Sequence, residues 1–361
     1  MNKLLLLSGL VSFTGFGQIS LTSASFPVAN DELIMSTLLD LQIDYASTGA
    51  NYNWDFSGLT PSGQRFVNYY PMADASTLSG FFFGAFAAAP YKASYFSPST
   101  DLPLEQLTAN LPVTLSGISG FSKSAPEAVT MVGWEFLING TGIPAKSDTI
   151  ETRYEFPLDY GDSYASRGYT KLNMTPIYEA QWIQHRQRES DVDGWGSITT
   201  PYGTFDALRI HHRINESDSF YIPVNGGTWI PVPVPESHEY EWRAAGQHEA
   251  ILRIKTSVVL GTETVTAVEY RDWFNPALAL AEKEIVLEIY PNPATDKLSI
   301  NSDAEILSVG IFSQTGQLVS TSYTHLSDFN GSVDLSDLDA GMYYVTVKTE
   351  KGSLTRLIAI Q

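Results

Sequence analysis

The sequence predicts an all-β protein, with a large antiparallel β-sandwich-like domain followed by a small C-terminal β-sandwich. Short runs rich in Val, Ile, Thr, Tyr, Phe and Trp recur along the chain, as in β-strands. Gly, Pro, Asn and Asp cluster between these runs, where tight turns need them. Hydrophobic residues make up 43% of the chain and aromatic residues 12%, which is enough apolar material for a large core.

The first residues have the pattern of a secretory signal peptide, which we place at residues 1–17. Lys3 gives a short positive start, and Leu4–Phe16 is an apolar run of signal-peptide length. Gly15 and Gly17 are small residues at the positions that a signal peptidase reads, so we expect cleavage before Gln18. The run is too short to cross a membrane, and we expect no membrane span.

Residues 18–275 form the predicted cargo domain. Its clearest element is a hairpin, in which the strand-like runs Trp195–Thr200 and Thr204–Ile214 are joined by a turn that contains Gly203. The most apolar run of the domain is Gly80–Pro90. We interpret it as a buried strand or loop, or alternatively as an exposed patch that binds a partner.

Charge and cysteine content exclude several classes of protein. The formal net charge is −19, which argues against nucleic acid and anionic membrane surfaces as partners. The chain has no cysteine, so it has no disulfides, no thiol nucleophile and no cysteine-based metal site. These features fit an acidic extracellular protein.

A calcium site is one interpretation of Asp191, Asp193 and Gly194, and calcium is the one cofactor that we consider. Closely spaced carboxylates followed by a glycine begin loops that wrap oxygen ligands around a hard cation. The glutamate that would complete such a loop does not follow. The alternative is a solvated turn before the strand that begins at Trp195.

The histidines give a weaker indication of a metal site. His211 and His212 are neighbours on a predicted strand, so they point to opposite faces and cannot chelate together. His238 and His248 could converge on zinc only if the hairpin between them closes, and the helical spacing typical of such sites is absent.

Exposed tryptophans are the predicted ligand contacts. All seven tryptophans lie between residues 18 and 275 and none in the last stretch. Most of them are expected in the core. Trp195 and Trp229, which lie beside turn-forming or Pro-rich sequence, are the two expected at the surface, where an aromatic face could hold a polymer.

Two hypotheses for the cargo domain follow. The first is a non-enzymatic β-sandwich that binds or structures an extracellular polysaccharide or protein. The alternative is a secreted hydrolase of glycan or protein whose paired carboxylates meet only in the folded chain. No nucleophile-elbow, phosphate-loop or dinucleotide motif is present, so serine hydrolase, kinase and dehydrogenase activities have no support.

The last stretch, residues 285–361, alternates short strands and turns with no helical period. Pro291 and Pro293 must end the apolar strand before them, because neither ring nitrogen can donate to a sheet. Gly316 and Gly341 lie in segments typical of tight turns. About seven short strands in this stretch favour a small antiparallel sandwich.

This stretch resembles the type A C-terminal sorting domain of proteins exported by the type IX secretion system of Bacteroidetes. The residues that carry the resemblance are Tyr290, Pro291, Asn292, Pro293, Gly316, Gly341, Tyr343 and Arg356. The resemblance implies recognition by the secretion machinery, passage through the outer membrane and removal of residues 285–361. The remainder would be attached to the cell surface or released, and residues 276–284 would be the linker.

Overall fold

The computed structural model describes residues 19–99, 115–175, 177–222, 227–275, 287–302, 306–313, 318–320, 323–327, 330–349 and 352–361. The described residues fall into two compact units, an N-terminal unit up to residue 275 and a C-terminal unit from residue 287. The predicted signal peptide (residues 1–17), the predicted linker (residues 276–284) and Gly316 lie outside the described residues. The predicted all-β class is confirmed.

Fourteen strands form one sheet in the described part of the N-terminal unit. The first seven are β1 (Glu32–Thr37), β2 (Ala50–Asp55), β3 (Gly63–Asn68), β4 (Tyr95–Pro98), β5 (Leu115–Ala125), β6 (Ala128–Ile138) and β7 (Thr141–Glu155). The others are β8 (Ser163–Asn173), β9 (Gln181–Thr200), β10 (Gly203–Ile222), β11 (Thr228–Val232), β12 (Glu236–Ala244), β13 (Leu252–Val259) and β14 (Thr262–Arg271).

The sheet rolls up until its two ends meet. Its hydrogen-bonded order is β3, β1, β14, β13, β12, β10, β9, β8, β7, β6, β5, β4, with β11 added beside β10 and β2 beside β9. Tyr70, just after β3, and Phe96 of β4 exchange two backbone hydrogen bonds of 2.8 and 3.0 Å. The rolled sheet therefore has an inner face, enclosed by its own strands, and an outer face.

The predicted hairpin is confirmed as β9 and β10, the two longest strands. Every second residue of β9 from Trp182 to Thr200 is buried. Val192 packs on the inner face, whereas beyond the bulge that lies opposite Arg209 and Ile210 the buried Ile198 packs on the outer face. Gly196, with a φ of +153°, lets β2 lie parallel to β9, because a Cβ there would overlap the backbone of Tyr52.

Part of the outer face is covered by the chain between β1 and β3. Trp54 and Phe56 from this segment pack edge-to-face on Trp242 of β12, with ring centroids 5.9 and 5.5 Å apart. Ile254 and Tyr270 complete this buried cluster on the neighbouring strands. Alternate residues of β12 thus enter an apolar outer core, which leaves the residues between them for the inner face.

The apolar run Gly80–Pro90 contains the end of a helix followed by a loop, so the expectation of a strand was wrong, and its side chains are partly buried and partly exposed. Its first four residues are the last four of a seven-residue helix, α1 (Thr77–Phe83). Ser76 caps this helix, because its side chain accepts a hydrogen bond from the Ser79 amide. Phe83 is fully buried, whereas Phe86 is 90% exposed. The described residues of this unit also contain three single-turn 3₁₀ segments, at Ser23–Ser25, Met72–Asp74 and Ala89–Tyr91.

The C-terminal unit is a sandwich of two four-stranded sheets among its described residues. One sheet contains β15 (Leu287–Tyr290), β16 (Lys297–Ser302), β19 (Tyr323–Ser327) and β20 (Asn330–Asp334). The other contains β17 (Ile306–Ser313), β18 (Leu318–Ser320), β21 (Gly341–Thr349) and β22 (Gly352–Ile360). Leu298 and Val333 of the first sheet share one core with Val345 and Ile358 of the second.

Candidate functional site

A band of paired charges crosses the inner face of the rolled sheet. Its members come from strands that are far apart in sequence but adjacent or facing in the sheet. They are Arg65, Glu151, Arg153, Arg186, Arg188, Glu216, Glu239, Glu241, Arg243, Glu249, Arg253, Lys255 and Glu269. We call this set the inner charge network.

Strand register places opposite charges beside each other in this network. Arg253 of β13 lies opposite Glu241 of β12 and opposite Glu269 of β14. Its Nε donates to Glu241 Oε1 at 2.7 Å, and its Nη2 donates to Glu249 Oε1 at 2.7 Å. Directly opposite residues of antiparallel strands share a face, so opposite charges at these positions attract.

Arginines hold the buried carboxylates of the network in the ionised form. Burial alone would raise the pKa of Glu241, but Arg243 and Arg253 outweigh it and set that pKa well below its ordinary value. Burial would also raise the pKa of Glu249, but Arg253 and Arg243 lower it below its ordinary value. Three arginines lower the pKa of Glu151 in the same way. These glutamates are poor proton donors.

A cavity of about 160 Å³ lies against the inner charge network. Its lining combines cationic side chains with hydroxyl groups of Tyr69, Tyr95, Ser97 and Ser122. The side chains of Arg65 and Lys255 are 34% and 29% exposed, and Pro98 is exposed, so this side of the lining faces solvent.

Arg243 is one of two fully enclosed cations of the cavity lining, the other being Arg188. The Nε of Arg243 donates to Glu241 Oε2 at 2.7 Å, and its Nη2 donates to Tyr154 Oη and Glu249 Oε1, each at 3.0 Å. The guanidinium carbon lies 4.6 Å from the ring centroid of Phe26. Its Nη1 is buried and has no hydrogen-bond partner.

A pair of carboxyl groups lies farther along the same face, on β10. Asp218 Oδ2 accepts a hydrogen bond of 3.0 Å from Trp182 Nε1, and Glu216 Oε2 accepts one of 2.7 Å from Arg186 Nε. Burial, followed by the charge of Glu216, raises the pKa of Asp218 to about 7. Asp218 Oδ1 and Glu216 Oε1 are buried without another partner, which fits one proton shared between the two groups.

The two aspartates of the calcium interpretation lie inside strand β9, in neither a loop nor a turn. Asp191 accepts from Ser163 Oγ at 2.6 Å and pairs with Arg213 at 3.0 Å. Asp193 pairs with Arg209 at 2.5 Å. The expectation of a turn here was wrong, because Asp191 pairs with β8 and β10, and pairing with β10 resumes at Gly194 after a bulge at Asp193.

The histidines fall into separate environments. His211 and His212 point to opposite faces, as predicted, with His211 Nε2 3.2 Å from His238 Nδ1 and His212 Nδ1 2.7 Å from Ser190 Oγ. His248 instead contacts Asp31, at 2.8 Å. Among the residues that the structure describes, no three histidine or acidic side chains group in a way that could hold a metal ion.

The two predicted aromatic contacts differ in exposure. Trp229 of β11 is 44% exposed, and its ring centroid lies 5.6 Å from that of Tyr221 on β10. Trp195 is partly buried and packs against the inner-face cluster that contains Val192 and Leu208.

A second exposed tryptophan, which the sequence did not single out, lies just after β14. Trp273 is 68% exposed, and its ring centroid is 4.9 Å from that of Tyr202 in the β9–β10 turn. The Tyr202 ring stacks on Phe205 at 5.5 Å. We call these three side chains the aromatic row.

The sorting-motif residues join the first and last strands of the C-terminal unit. Asn292 Oδ1 accepts a hydrogen bond of 2.9 Å from the Ala359 amide on β22. Ala294, just after the motif, exchanges backbone hydrogen bonds of 2.8 and 2.9 Å with Ala359 and Gln361. Tyr290 Oη accepts from Asn301, and Tyr343 Oη donates to the Asp339 carbonyl.

The comparisons with known proteins concern mainly this C-terminal unit. Residues 288–361 match the family described as the secretion system C-terminal sorting domain. No curated protein sequence matches the chain. Within the described ranges, no helix is both long and apolar enough to cross a membrane.

One similar solved structure is the mixed-linkage glucan utilization locus protein SGBP-B of Bacteroides ovatus, in complex with a mixed-linkage heptasaccharide. The sequence identity is 10% and the TM-score 0.16, with 56% of this chain and 64% of that chain covered. The match thus spans less than two thirds of that protein, and a likeness of this size carries no inference about fold or ligand. The family match, together with the sandwich of β15–β22, shows that the C-terminal unit is a type IX secretion system C-terminal sorting domain, and that the protein is exported to the cell surface or beyond.

Proposed function

We propose that the N-terminal unit is a non-enzymatic module that binds an extracellular polysaccharide through the aromatic row. The observation that carries this proposal is the 68% exposure of Trp273 at the end of three successive rings. Flat aromatic faces bury large areas against a ligand at low cost in side-chain entropy, and their polar edges tolerate a wet surface. Sugar rings have apolar faces that suit this arrangement.

The backbone that carries Trp273 is held in place. Gln64, which is buried, donates to the Trp273 carbonyl at 2.7 Å and accepts from the Asn275 amide at 2.7 Å. The Trp273 amide donates to Asp272 Oδ1 at 2.8 Å. A contact surface that is ordered before binding loses less entropy on binding, which favours a functional role for this tryptophan.

Arg271 adds a polar partner beside the row. Its guanidinium carbon lies 5.2 Å from the ring centroid of Tyr202. A guanidinium next to an aromatic face can donate hydrogen bonds to sugar hydroxyls while the rings contact the sugar face. Trp229, which the sequence predicted as a contact, forms a second aromatic pair with Tyr221. This pair serves as a second arm of the test.

We further propose that the signal peptide and the sorting domain are removed on export, so that the N-terminal unit is the working protein. The hydrolase alternative stays a prediction. Asp218, whose pKa is raised to about 7, could donate a proton, but it is 2% exposed and does not line the cavity beside Glu241 and Glu249. Glycoside hydrolysis requires one carboxylic acid to donate a proton, and arginines keep Glu241 and Glu249 beside the cavity ionised.

The test is a binding screen of the purified full-length chain against soluble and insoluble polysaccharides, with a panel of extracellular proteins as a separate arm. We expect saturable binding to at least one polysaccharide and a loss of about tenfold or more in affinity for Trp273→Ala, as for an aromatic hot spot. Phe86→Ala is the matched control, because Phe86 is 90% exposed and lies in another part of the unit.

Three results would contradict the proposal. The first is the absence of binding to every polysaccharide in the screen. The second is unchanged affinity of Trp273→Ala. The third is equal weakening by Phe86→Ala. If only Trp229→Ala loses binding, the contact surface lies on β11 and not on the aromatic row. If the chain binds only members of the protein panel, its ligand is a protein and not a polysaccharide.

A further inference from the structure

We propose that the cavity on the inner charge network binds a small carboxylate, such as a sugar acid, with Arg243 as its main donor. The cavity shares no residue with the aromatic row, so this inference stands apart from the polysaccharide-binding proposal. Three observations support this proposal: the charge of the cavity lining, a donor of Arg243 without a partner, and the size and chemistry of the lining.

The lining of the cavity is cationic in a strongly acidic protein. The net charge of the chain is −19, yet the cavity is lined by six basic side chains and three acidic ones. The basic members are Arg65, Arg153, Arg188, Arg243, Arg253 and Lys255, and the acidic members are Glu239, Glu241 and Glu249. An anion that enters this space meets an excess of positive charge among the lining side chains.

Arg243 has a donor left for a ligand. Its side chain is 3% exposed and two of its nitrogens are fully used by Glu241, Glu249 and Tyr154, whereas Nη1 is buried without a partner. Buried donors without partners are unfavourable and rare in folded proteins. A ligand oxygen at Nη1 would satisfy this donor with a charge-assisted hydrogen bond.

The size and chemistry of the lining favour a carboxylate over other anions. A volume of about 160 Å³ has room for a small organic molecule, since a water needs only roughly 10–15 Å³ measured in this way. Glu151 and Glu269 pair with Arg188 and Arg65 of the lining and offset part of its charge, which favours a singly charged group over sulfate or phosphate. Hydroxyls of Tyr95, Ser97 and Ser122 can bond to the hydroxyls of a sugar acid.

Calorimetric titration of the full-length chain at constant ionic strength tests this proposal. The ligands are sodium D-glucuronate, sodium N-acetylglycinate, sodium sulfate and D-glucose. We expect saturable binding of D-glucuronate, one molecule per chain, and no binding of glucose or sulfate. If N-acetylglycinate also binds, the carboxylate is the group that the cavity recognises. If only D-glucuronate binds, the cavity recognises the carboxylate together with the sugar hydroxyls.

Two variants locate the binding site. Arg243→Met should weaken glucuronate binding at least tenfold. Because this change also removes network contacts, Ser97→Trp provides a second test, in which an indole fills the cavity and the charged residues stay in place. We expect Ser97→Trp to abolish binding. Ser97→Ala, which removes one lining hydroxyl and leaves the cavity open, should weaken binding only slightly.

A thermal readout completes the test. Glucuronate should raise the unfolding midpoint of the unchanged protein in a saturable way and leave that of Ser97→Trp unaltered. Trp273→Ala should retain glucuronate binding, which separates this site from the aromatic row. The proposal is overturned if neither carboxylate binds, if sulfate binds as tightly as glucuronate, or if Ser97→Trp keeps its affinity.

Discussion

Glu241 and Arg253 lie directly opposite each other on β12 and β13, with 2.7 Å between Glu241 Oε1 and Arg253 Nε. Glu241 is 2% exposed, and its other oxygen accepts hydrogen bonds from Arg243 and Tyr154. A one-residue slip of either strand would turn one of these charges to the apolar outer face. The pair therefore helps to fix the register of the rolled sheet.

We expect Arg253→Met to lower the free energy of unfolding by about 3–5 kcal/mol, because it leaves buried carboxylates without their partner. Urea unfolding monitored by tryptophan fluorescence measures this change. Arg213→Met is the matched control, since the Arg213–Glu189 pair is 37% and 63% exposed and such surface pairs contribute about 0–1 kcal/mol. Equal losses in the two variants would contradict a structural role for the buried pair.

The free energy of unfolding should decrease in two stages as the pH is lowered from neutral. The folded pKa values of His211 and His212 are lowered from 6.5 by burial, that of His211 to about 3, so stability is lost as the unfolded chain protonates below pH 6.5. The pKa values of Glu151, Glu241, Glu249 and Glu269 lie below 4.5, so a steeper loss follows below that pH. Urea midpoints measured across this range test both stages, and a flat profile below pH 4.5 would contradict the second.

Asp218 should act in the opposite direction. Its folded pKa of about 7 lies above its unfolded value of 3.8, so the folded state binds the extra proton and loses stability as pH rises between these values. One pKa unit corresponds to about 1.4 kcal/mol, and we expect Asp218→Asn to raise the free energy of unfolding near pH 8 by at least about 1 kcal/mol.

The reason is that the asparagine amide can donate to Glu216 at every pH, while its carbonyl still accepts from Trp182. Glu216→Gln is the contrasting variant. It should destabilise the protein, because Arg186 loses the carboxylate that lies 2.7 Å away. A loss of stability for Asp218→Asn at alkaline pH would show that Asp218 is ionised in the folded protein.

Deletion of residues 285–361 should leave the protein in the periplasm, because the sorting domain that the secretion machinery recognises is missing. Cell fractionation with an antibody against the N-terminal unit detects the change. As a control, the same residues fused to a secreted reporter should carry that reporter to the surface. Normal surface delivery of the truncated protein would contradict the export role of this domain.

Local sequence was sufficient where neighbouring residues determine the structure. The β9–β10 hairpin could be predicted because Gly203 and the β-rich runs around it specify a turn and two strands without help from the rest of the chain. The sorting domain could be identified because Tyr290–Pro293 and the later glycines form a recognisable local pattern. Asp191 and Asp193 were misread as part of a turn, because strand pairing with β8 and β10 overrides their turn propensity.

The sequence by itself determined the all-β class, the export signal at the C terminus and the exposure of Trp229. The tertiary structure decided which charges meet, because Arg65, Glu151, Glu241 and Arg253 lie in four separate strands and come together only when the sheet rolls up. Long-range pairing of β14, β13, β12 and β10 brings Trp273 beside Tyr202. Alternation shows which face a residue occupies, whereas its neighbours on that face depend on long-range strand pairing, which no local pattern encodes.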